Sequence, residues 1–250
     1  MTESLAPCLP CPQCLKTTDL CVCSFVEKLA TRAHVLILQH PQEPDKDLGS
    51  ARLAHLSLPN STLKTGLSWP NLKAALGREA QNQRWAVLHL GSGIKAGTTR
   101  ADSQKASSPF QLVSRNGELL EDQREILKQL QGIVVLDGTW SQAKTLWWRN
   151  AWLLKLRRAI LLPSQKSLYG ELRKEPRREC LSTIESVALG LSALGEPAEV
   201  SGGLEKIFGK LLDQARARPK PSVSATKSRN TDGAKRAPKR DWRRKKRRTP

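Results

Sequence analysis

The sequence predicts an α/β protein built on a mainly parallel β-sheet with helices on both faces. Short runs of β-branched residues and leucine, such as residues 132–136, carry no polar side chain and are typical of strands in the middle of a parallel sheet. These runs alternate with segments such as 50–58, where apolar residues recur at helical spacing. This alternation favours parallel pairing, because each connection then crosses one face of the sheet.

Each element is predicted from its apolar pattern and from the residues that stop it. Pro41 ends the first strand, because proline cannot donate to a β-ladder, and Pro59 ends the first helix. Asn116 is the predicted N-cap of the helix before the central strand, and the polar segment 94–109 is a predicted loop. In chain order, the predicted strands are 34–40, 85–90, 132–136 and 157–163, and the predicted helices are 50–58, 71–77, 116–130, 140 to about 158, 181–194 and 203–215.

Positive charge is concentrated at the C-terminal end of the chain. The formal net charge is +19, and the segment from Arg216 onward holds fifteen Lys and Arg against two Asp. This balance favours a polyanionic partner, nucleic acid in preference to a membrane surface. Segment 216–250 also has almost nothing apolar to bury, so we predict that it is disordered and contacts phosphate without selecting a sequence.

The sequence gives no indication of a membrane-bound or exported protein. No window of about 18 consecutive apolar residues occurs. The first residues lack the basic and apolar regions of a signal peptide. We therefore expect a cytoplasmic protein without a membrane span, and no feature points to an obligate protein partner.

Cysteine is concentrated near the N-terminus, where five of the six cysteines lie. In a reducing compartment such a cluster favours metal ligation over disulfide bonds, the alternative being a set of reduced surface thiols. One CxxC pair and one CxC pair supply enough thiolates to enclose a tetrahedral zinc ion: Cys11, Cys14, Cys21 and Cys23. Such a closed site has no open position, so we predict a structural zinc knuckle over residues 8–30, with Cys8 as a spare ligand.

The central predicted strand ends at an acidic residue beside a helix. Asp137 is the first polar residue after the apolar run, Gly138 allows a sharp turn, and Thr139 can accept a hydrogen bond from a free N–H of the following helix. Helix N-termini carry positive partial charge, and open α/β sheets bind ligands at the carboxyl ends of their strands. We therefore predict that the active site lies at Asp137.

The helix after this turn carries four tryptophans. Trp147 and Trp152 are predicted core residues, because a buried tryptophan usually belongs to a core. Trp140 either stacks on a nucleobase or anchors its helix by packing, and Trp148 is assigned to neither role. Farther along, cations and one aromatic residue either hold RNA phosphate or form a solvated loop: Tyr169, Arg173, Arg177 and Arg178.

Four motifs in order carry a resemblance to a known family. They are the CxxC and CxC cysteines, His40-Pro-x-Glu43, Asp137-Gly-Thr-Trp140 with its Gln142-Ala143 continuation, and Leu181-Ser-Thr-Ile-Glu185. Together they resemble the DTW-domain family over about residues 8–200. The last motif also has the spacing of a helix capping box, which accounts for Ser182 and Glu185 without a ligand. Several members of the family have an Asn-Thr pair where this chain has Gly49-Ser50, so the Asn amide is absent here.

The resemblance implies a fold, a domain layout and a reaction. Members of the family are tRNA-uridine aminocarboxypropyltransferases, similar in fold to SPOUT methyltransferases and with a knotted C-terminal half. The catalytic domain would then span residues 31–215. The implied reaction moves the 3-amino-3-carboxypropyl group of S-adenosyl-L-methionine to N3 of a uridine and releases methylthioadenosine. The resemblance thus implies S-adenosyl-L-methionine as co-substrate and tRNA as partner.

The roles of the site residues follow from this reaction. Uridine N3 carries a proton at neutral pH, so a base is required near it, and Asp137 is the first candidate, with Glu43 in reserve. The alternative role for Asp137 is to bind the ammonium group or the ribose hydroxyls of the donor. The residues predicted to contact the donor are His40, Asp137, Gly138, Thr139, Trp140, Ser182, Thr183 and Glu185.

Two other functions stay open from the sequence. A SPOUT-type RNA methyltransferase would use the same donor and release S-adenosylhomocysteine. A non-enzymatic RNA-binding module would act through the zinc knuckle and the basic tail. The hypothesis of an RNA-binding module does not explain why an acidic residue ends a strand beside a glycine turn. A role as a helix cap explains Asp137 by itself.

Overall fold

A computed structural model describes residues 10–88, 109–163, 165–172 and 181–218, and it confirms the α/β class. Within these residues the strands are β1 (His34–Gln39), β2 (Ser61–Thr65), β3 (Trp85–Leu88), β4 (Phe110–Val113), β5 (Gly132–Asp137) and β6 (Arg157–Leu161). The α-helices are α1 (Ala51–Ser57), α2 (Leu72–Leu76), α3 (Gln123–Gln129), α4 (Trp140–Arg149), α5 (Thr183–Ala193) and α6 (Ala198–Ala217).

The strands form one mostly parallel sheet in the order β2-β1-β5-β3-β6-β4. Every neighbouring pair is parallel except the pair of β4 with β6, which is antiparallel. Strand β5 lies between β1 and β3, and all of its residues are buried. In the register of β1 with β5, Gln39 lies opposite Asp137, so both side chains reach the carboxyl edge of the sheet.

Alternate residues of the central strands enter two hydrophobic cores, one on each face of the sheet. Val35 and Ile133 face the core that includes α1, α5 and α6, whereas Leu36 and Val134 face the core that includes α2 and α4. All four side chains are fully buried, and full burial of such a side chain contributes about 1.5–3 kcal/mol. Because successive strand residues point to opposite faces, a strand covered on both sides must be apolar throughout.

The chain leaves β1 and β5 in opposite directions. From β1 it continues through α1 to β2 on one side, and from β5 it continues through α4 to β6 on the other side. The two helices pack on opposite faces of the sheet. Such a reversal opens a crevice outside the carboxyl ends of the two strands, which is where open α/β sheets bind ligands. The crevice lies at Asp137.

Two edge strands were missed by the sequence prediction. Strand β2 contains one apolar residue, Leu63, and its residues are half-buried or exposed, so its pattern is weak. Strand β4 is four residues long, and β6 is the only one of the named strands with which it pairs. Its Val113 also forms an isolated bridge with Leu119. Both lie at the ends of the sheet, where packing on one side replaces the continuous apolar run of a central strand.

Three helix boundaries also differ from the prediction. Asn116 does not cap α3, because it lies in a tight turn that Gly117 closes with a φ of 81°, and α3 begins at Gln123. Helix α4 ends at Arg149 and not near residue 158, because Asn150 leaves the helical conformation and its amide donates to the carbonyl of Leu146 at 2.7 Å. A 3-10 turn, Ala151–Lys155, then leads to β6.

Helix α6 begins at Ala198, five residues before the predicted start at Gly203. Glycines at 202 and 203 suggested a helix boundary, yet both lie inside the helix. A Cβ atom at Gly203 would lie 2.9 Å from the Cδ atoms of Leu29. The glycine is therefore present because the helix packs closely against the N-terminal segment.

Several predicted features fall outside the described residues. They are Cys8, the end of the strand at 89–90, the loop up to residue 108, Cys180, the arginines at 173, 177 and 178, and the tail beyond residue 218. Among the residues that are described, no helix combines the length and the apolar character needed to cross a membrane.

Replacement of Gly132 tests the packing at the start of β5. A Cβ atom there would lie 2.4 Å from the carbonyl oxygen of His34 and 2.7 Å from the ring of Trp85. Because one of these neighbours is backbone, we expect Gly132→Ala to lower the free energy of unfolding by about 1–3 kcal/mol or more. Urea denaturation followed by circular dichroism measures the change.

Gly202→Ala is the matched control, because a Cβ atom at this exposed helical position would have nothing within 4 Å. It should raise the free energy of unfolding by about 0.5–1 kcal/mol through helix propensity alone. Equal responses of the two variants would contradict the packing assigned to Gly132.

Candidate active site

Asp137 ends β5 as a buried carboxylate held by two other segments of the chain. Its side chain is 7% exposed. One oxygen accepts a hydrogen bond from the Gln39 amide at 2.9 Å, and the other accepts a short hydrogen bond from the Thr183 hydroxyl. Gln39 in turn accepts a hydrogen bond from the Thr65 hydroxyl at 3.1 Å. The acid is therefore fixed relative to β1, β2 and the N-terminus of α5.

The turn after Asp137 is built as the sequence predicts. A Cβ atom at Gly138 would lie 2.9 Å from the Cβ of Gln142, so the turn is too tight for a side chain. Thr139 and Gln142 form a capping box, in which the Gln142 side chain accepts from the Thr139 N–H at 2.6 Å. The amide of Gln142 also donates to the side chain of Gln42 at 3.2 Å. This contact joins the start of α4 to the loop after β1.

The loop after β1 brings His40 and Glu43 to the same edge. The N–H of His40 donates to the carbonyl oxygen of Asp137 at 3.0 Å, which extends the pairing of the two strands by one bond. His40 is half-buried. Glu43 is 9% exposed, and its N–H donates to the carbonyl of His40 at 3.0 Å. Both predicted residues thus lie in the loop that directly follows β1.

Helix α5 begins at the crevice with a second capping box, formed by Ser182 and Glu185. The carboxylate of Glu185 also accepts from the Ser167 hydroxyl at 2.7 Å and from the N–H of Leu168 at 2.8 Å. Glu185 therefore joins the helix to the segment after β6. Of the three predicted donor-binding residues in this motif, Thr183 is the one that contacts Asp137.

Ser50 has a structural role at this junction. Its side-chain oxygen accepts a hydrogen bond from the N–H of Ile184 at 3.1 Å, and Ser50 is almost fully buried. The hydroxyl thus satisfies a free donor in the first turn of α5. It joins the starts of α1 and α5. Several members of the family that the motifs resemble have threonine at this position.

Lys16 is a buried cation that the sequence analysis did not identify. Its ammonium group donates to the carbonyl oxygens of Lys46 and Gly49 at 2.7 and 2.8 Å, and it is 4% exposed. Burial lowers the pKa of Lys16 to about 8, because desolvation disfavours the charged form. The negative charge of Asp137 is among those that oppose this lowering of the pKa, so the two side chains share one electrostatic environment.

Only some of the tryptophans of α4 and the following turn belong to the core. Trp152 is buried, and Trp147 is partly buried, with the guanidinium of Arg158 lying 5.6 Å from its ring centroid. Trp140 is half-buried at the first position of α4, directly after the turn that follows Asp137. Trp148 is 78% exposed. The burial of Trp152 and Trp147 agrees with the prediction that they are core residues, and Trp148 lies on the surface.

The four predicted metal ligands come together in the N-terminal segment. The sulfur atoms of Cys11, Cys14, Cys21 and Cys23 all lie within 4.8 Å of one another. The distances from Cys11 to Cys23 and from Cys14 to Cys21 are both 3.7 Å. Four sulfurs bound tetrahedrally to zinc at about 2.3 Å are about 3.8 Å apart. The cluster therefore has the size of a tetrathiolate metal site.

The pKa values of these thiols fit a site that binds a cation. Backbone hydrogen bonds from Cys14 and Gln13 lower the pKa of Cys11 to about 6. Burial raises the pKa values of Cys14 and Cys23. A divalent cation at the centre would favour the thiolate form of all four, because thiolates are the ligands that metals take from cysteine.

The cysteine segment is packed onto the main core. Cys14, Leu20 and Val22 are buried in the same cluster as α6, and residues up to Arg218 form one compact unit. Lys16, two residues after Cys14, binds the loop that joins β1 to α1. Lys16 therefore links the cysteine segment directly to the loop that flanks the candidate active site.

The chain aligns with named proteins over about three quarters of its length. The chain is 27% identical over 186 residues to tRNA-uridine aminocarboxypropyltransferase 2 of Macaca fascicularis, an alignment of 74% of this chain and 56% of the relative. It is 28% identical over 196 residues to the protein of the same name from Drosophila melanogaster, covering 76% of this chain and 68% of that protein. The chain thus spans little more than half the length of the macaque relative.

No solved structure matches the chain significantly. The model of the DTW domain matches residues 9–216, which include the cysteine cluster, the loop after β1, the turn at Asp137 and the start of α5. The match covers all of the residues gathered at the crevice, so the resemblance stated from the motifs is confirmed. This chain belongs to the DTW-domain family.

Proposed function

We propose that the protein transfers the 3-amino-3-carboxypropyl group of S-adenosyl-L-methionine to N3 of a uridine in tRNA. The observation that carries the proposal is the placement of Asp137 in the crevice between β1 and β5, where the starts of α4 and α5 converge. The names of the aligned relatives support the reaction class. Three of the four family motifs lie directly after β1, at the end of β5 and at the start of α5.

The chemistry requires positioning and a base. Uridine N3 forms a new bond to the carbon of the aminocarboxypropyl group that adjoins the sulfonium sulfur. The carbon–sulfur bond breaks, its electron pair stays on sulfur, and neutral methylthioadenosine leaves. The N3 proton passes to a carboxylate. Because the sulfonium already activates the donor, the protein's main contribution is to align nucleophile and carbon, which in related cases is worth about 7–11 kcal/mol.

Asp137 is the base in this proposal. The hydrogen bonds from Gln39 and Thr183 fix the orientation of this carboxylate at the edge of the sheet. Glu43, buried in the loop after β1, is the reserve base. The remaining donor contacts come from His40, Gly138, Thr139, Trp140, Ser182, Thr183 and Glu185.

The cysteine cluster holds a structural zinc ion in this proposal, with Cys11, Cys14, Cys21 and Cys23 as ligands. The sulfur spacing supports the assignment. With four protein ligands the ion would keep no open position, so its contribution is to hold the N-terminal segment and not to take part in transfer. Lys16 then ties this segment to the loop that carries Glu43.

The remaining assignments follow the family resemblance. We retain a SPOUT-like arrangement with a knotted C-terminal half, a zinc knuckle over 8–30, a catalytic domain over 31–215 and a basic tail over 216–250 that adds affinity for tRNA phosphate. Arg216 and Ala217, which were predicted to be disordered, instead form the end of α6. A cytoplasmic location fits a tRNA substrate. These statements stay predictions, and a crystal structure that traces residues 162–194 would decide the knot.

Asp137→Asn tests the proposed base. The variant keeps the shape of the side chain and removes its basicity, so we expect a fall of about 10²- to 10⁴-fold in kcat with unmodified tRNA and S-adenosyl-L-methionine. The assay measures release of methylthioadenosine. Asp213→Asn, on the exposed side of α6, is the matched control and should leave kcat unchanged.

Donor affinity separates the two roles of Asp137. Calorimetric titration should give the same Kd for S-adenosyl-L-methionine in Asp137→Asn and in the wild type. A weaker Kd that accounts for the whole loss of activity would show that Asp137 binds the donor and is not the base. Release of S-adenosylhomocysteine by the wild type would replace aminocarboxypropyl transfer with methyl transfer.

Metal analysis tests the cysteine cluster. We expect one zinc per chain by elemental mass spectrometry, and none in Cys14→Ser, because a tetrahedral site needs all four thiolates. The same variant should unfold at lower temperature, since Cys14 is 1% exposed within the core. Cys8→Ser should retain the zinc. Loss of zinc from Cys8→Ser would instead place Cys8 among the ligands.

A further inference from the structure

The outer side of α4 presents an exposed aromatic and cationic surface that starts at the candidate active site. Trp148 is 78% exposed, more than any other large hydrophobic side chain among the described residues. Lys144 lies one turn before it and is also exposed, and Trp140 begins the helix. At a rise of about 1.5 Å per residue the three positions span about 12 Å along one side of the helix.

Packing does not require Trp148. Ala143 and Leu146 are the residues through which α4 enters the core, and Trp147 is held by Arg158 on the same inward side. The helix is therefore anchored without the exposed tryptophan. An exposed tryptophan suits a binding surface, because it presents a large apolar area together with one hydrogen-bond donor.

The segment of the chain that contains this side chain carries charge of one sign. Residues 138–170 contain six Lys and Arg and no Asp or Glu. Among the described residues, Lys144 forms no ion pair. An exposed ring next to unpaired cations suits a polyanion that also offers flat, stackable groups, which describes unpaired nucleotides and not an acidic protein.

We propose that the side of α4 formed by Lys144 and Trp148 binds the tRNA loop that contains the target uridine. Trp148 stacks on an unpaired base next to the target, and Lys144 contacts a backbone phosphate. Helix α4 starts two residues after Gly138, so an RNA strand bound along the helix leads to Asp137. The inference rests on the proposed function because it names the part of the protein that holds its substrate.

The first test compares Trp148→Ala with Trp148→Phe in the full-length protein. Loss of one stacked base should raise the Kd for unmodified tRNA, and its KM, by about 5- to 150-fold in Trp148→Ala. Trp148→Phe keeps an aromatic face and should recover most of the affinity. The assay is fluorescence anisotropy with labelled tRNA at raised ionic strength, where phosphate contacts of the tail are weakened.

The second test compares two single variants, each of which removes one positive charge, at opposite ends of the sheet. Lys144→Ala should lower the slope of log Kd against log salt by about one. Lys128→Ala is the control, because Lys128 is exposed in the last turn of α3, which leads to the opposite, amino end of β5. It should leave that slope unchanged. The donor Kd should be unchanged in every variant, because none of these side chains belongs to the donor site.

Three outcomes would overturn the assignment. One is an unchanged tRNA affinity in Trp148→Ala. Another is an equal loss in Lys128→Ala and Lys144→Ala, which would indicate general charge attraction. The third is a wild-type dimer that Trp148→Ala converts to a monomer without a change in tRNA affinity, which would make the surface a contact between two copies of the chain.

The tests separate this inference from the proposed function. If the wild type releases methylthioadenosine but Trp148→Ala retains full tRNA affinity, the reaction stands and the surface is wrong. If the wild type releases no methylthioadenosine while Trp148→Ala loses tRNA affinity and Trp148→Phe keeps it, the RNA surface stands and the assigned reaction is wrong.

Discussion

The hydrogen bonds that Asp137 accepts from Gln39 and Thr183 join three parts of the chain that are far apart in sequence. One partner ends the neighbouring strand, and the other begins α5. A buried carboxylate is costly unless polar groups surround it, so its presence requires both partners to stay in place. The strand ends, the turn at Gly138 and the helix start are therefore arranged around one acidic group, and the loop with His40 and Glu43 follows from the same strand pairing.

The N-terminal cysteine segment supports this arrangement from outside the sheet. Its buried residues belong to the core that α6 shares, and Lys16 binds two backbone carbonyls of the loop after β1. Holding a lysine amine in such a buried position lowers its pKa. The carbonyl bonds and nearby negative charge offset part of that desolvation. The cysteine segment thus stabilises the loop that flanks the crevice through the hydrogen bonds of Lys16.

Helix α4 packs into the core on one side and is exposed on the other. Its inner side fills the core beneath the sheet face, its start forms the turn at Asp137 through the capping box of Thr139 and Gln142, and its outer side is cationic and aromatic. The absence of acidic residues from 138–170 is needed by neither the core nor the cap. An anionic partner of the kind proposed above would account for the composition of this helix and of the segment after it, which the fold alone does not demand.

The sequence alone determined the parts of this protein that local chemistry controls. A continuous apolar run identified β5, residue type and spacing identified the N-cap Thr139 and the capping box of Ser182 and Glu185, and two close cysteine pairs identified the thiolate cluster. The tertiary structure decided the rest. The edge strands β2 and β4 depend on pairing with distant strands, the early start of α6 depends on Leu29 packing against Gly203, and the end of α4 depends on Asn150. Gln39 and Lys16 precede Asp137 by 98 and 121 positions in the sequence. They belong to the site only because folding brings them near Asp137, and no local sequence pattern predicts that proximity.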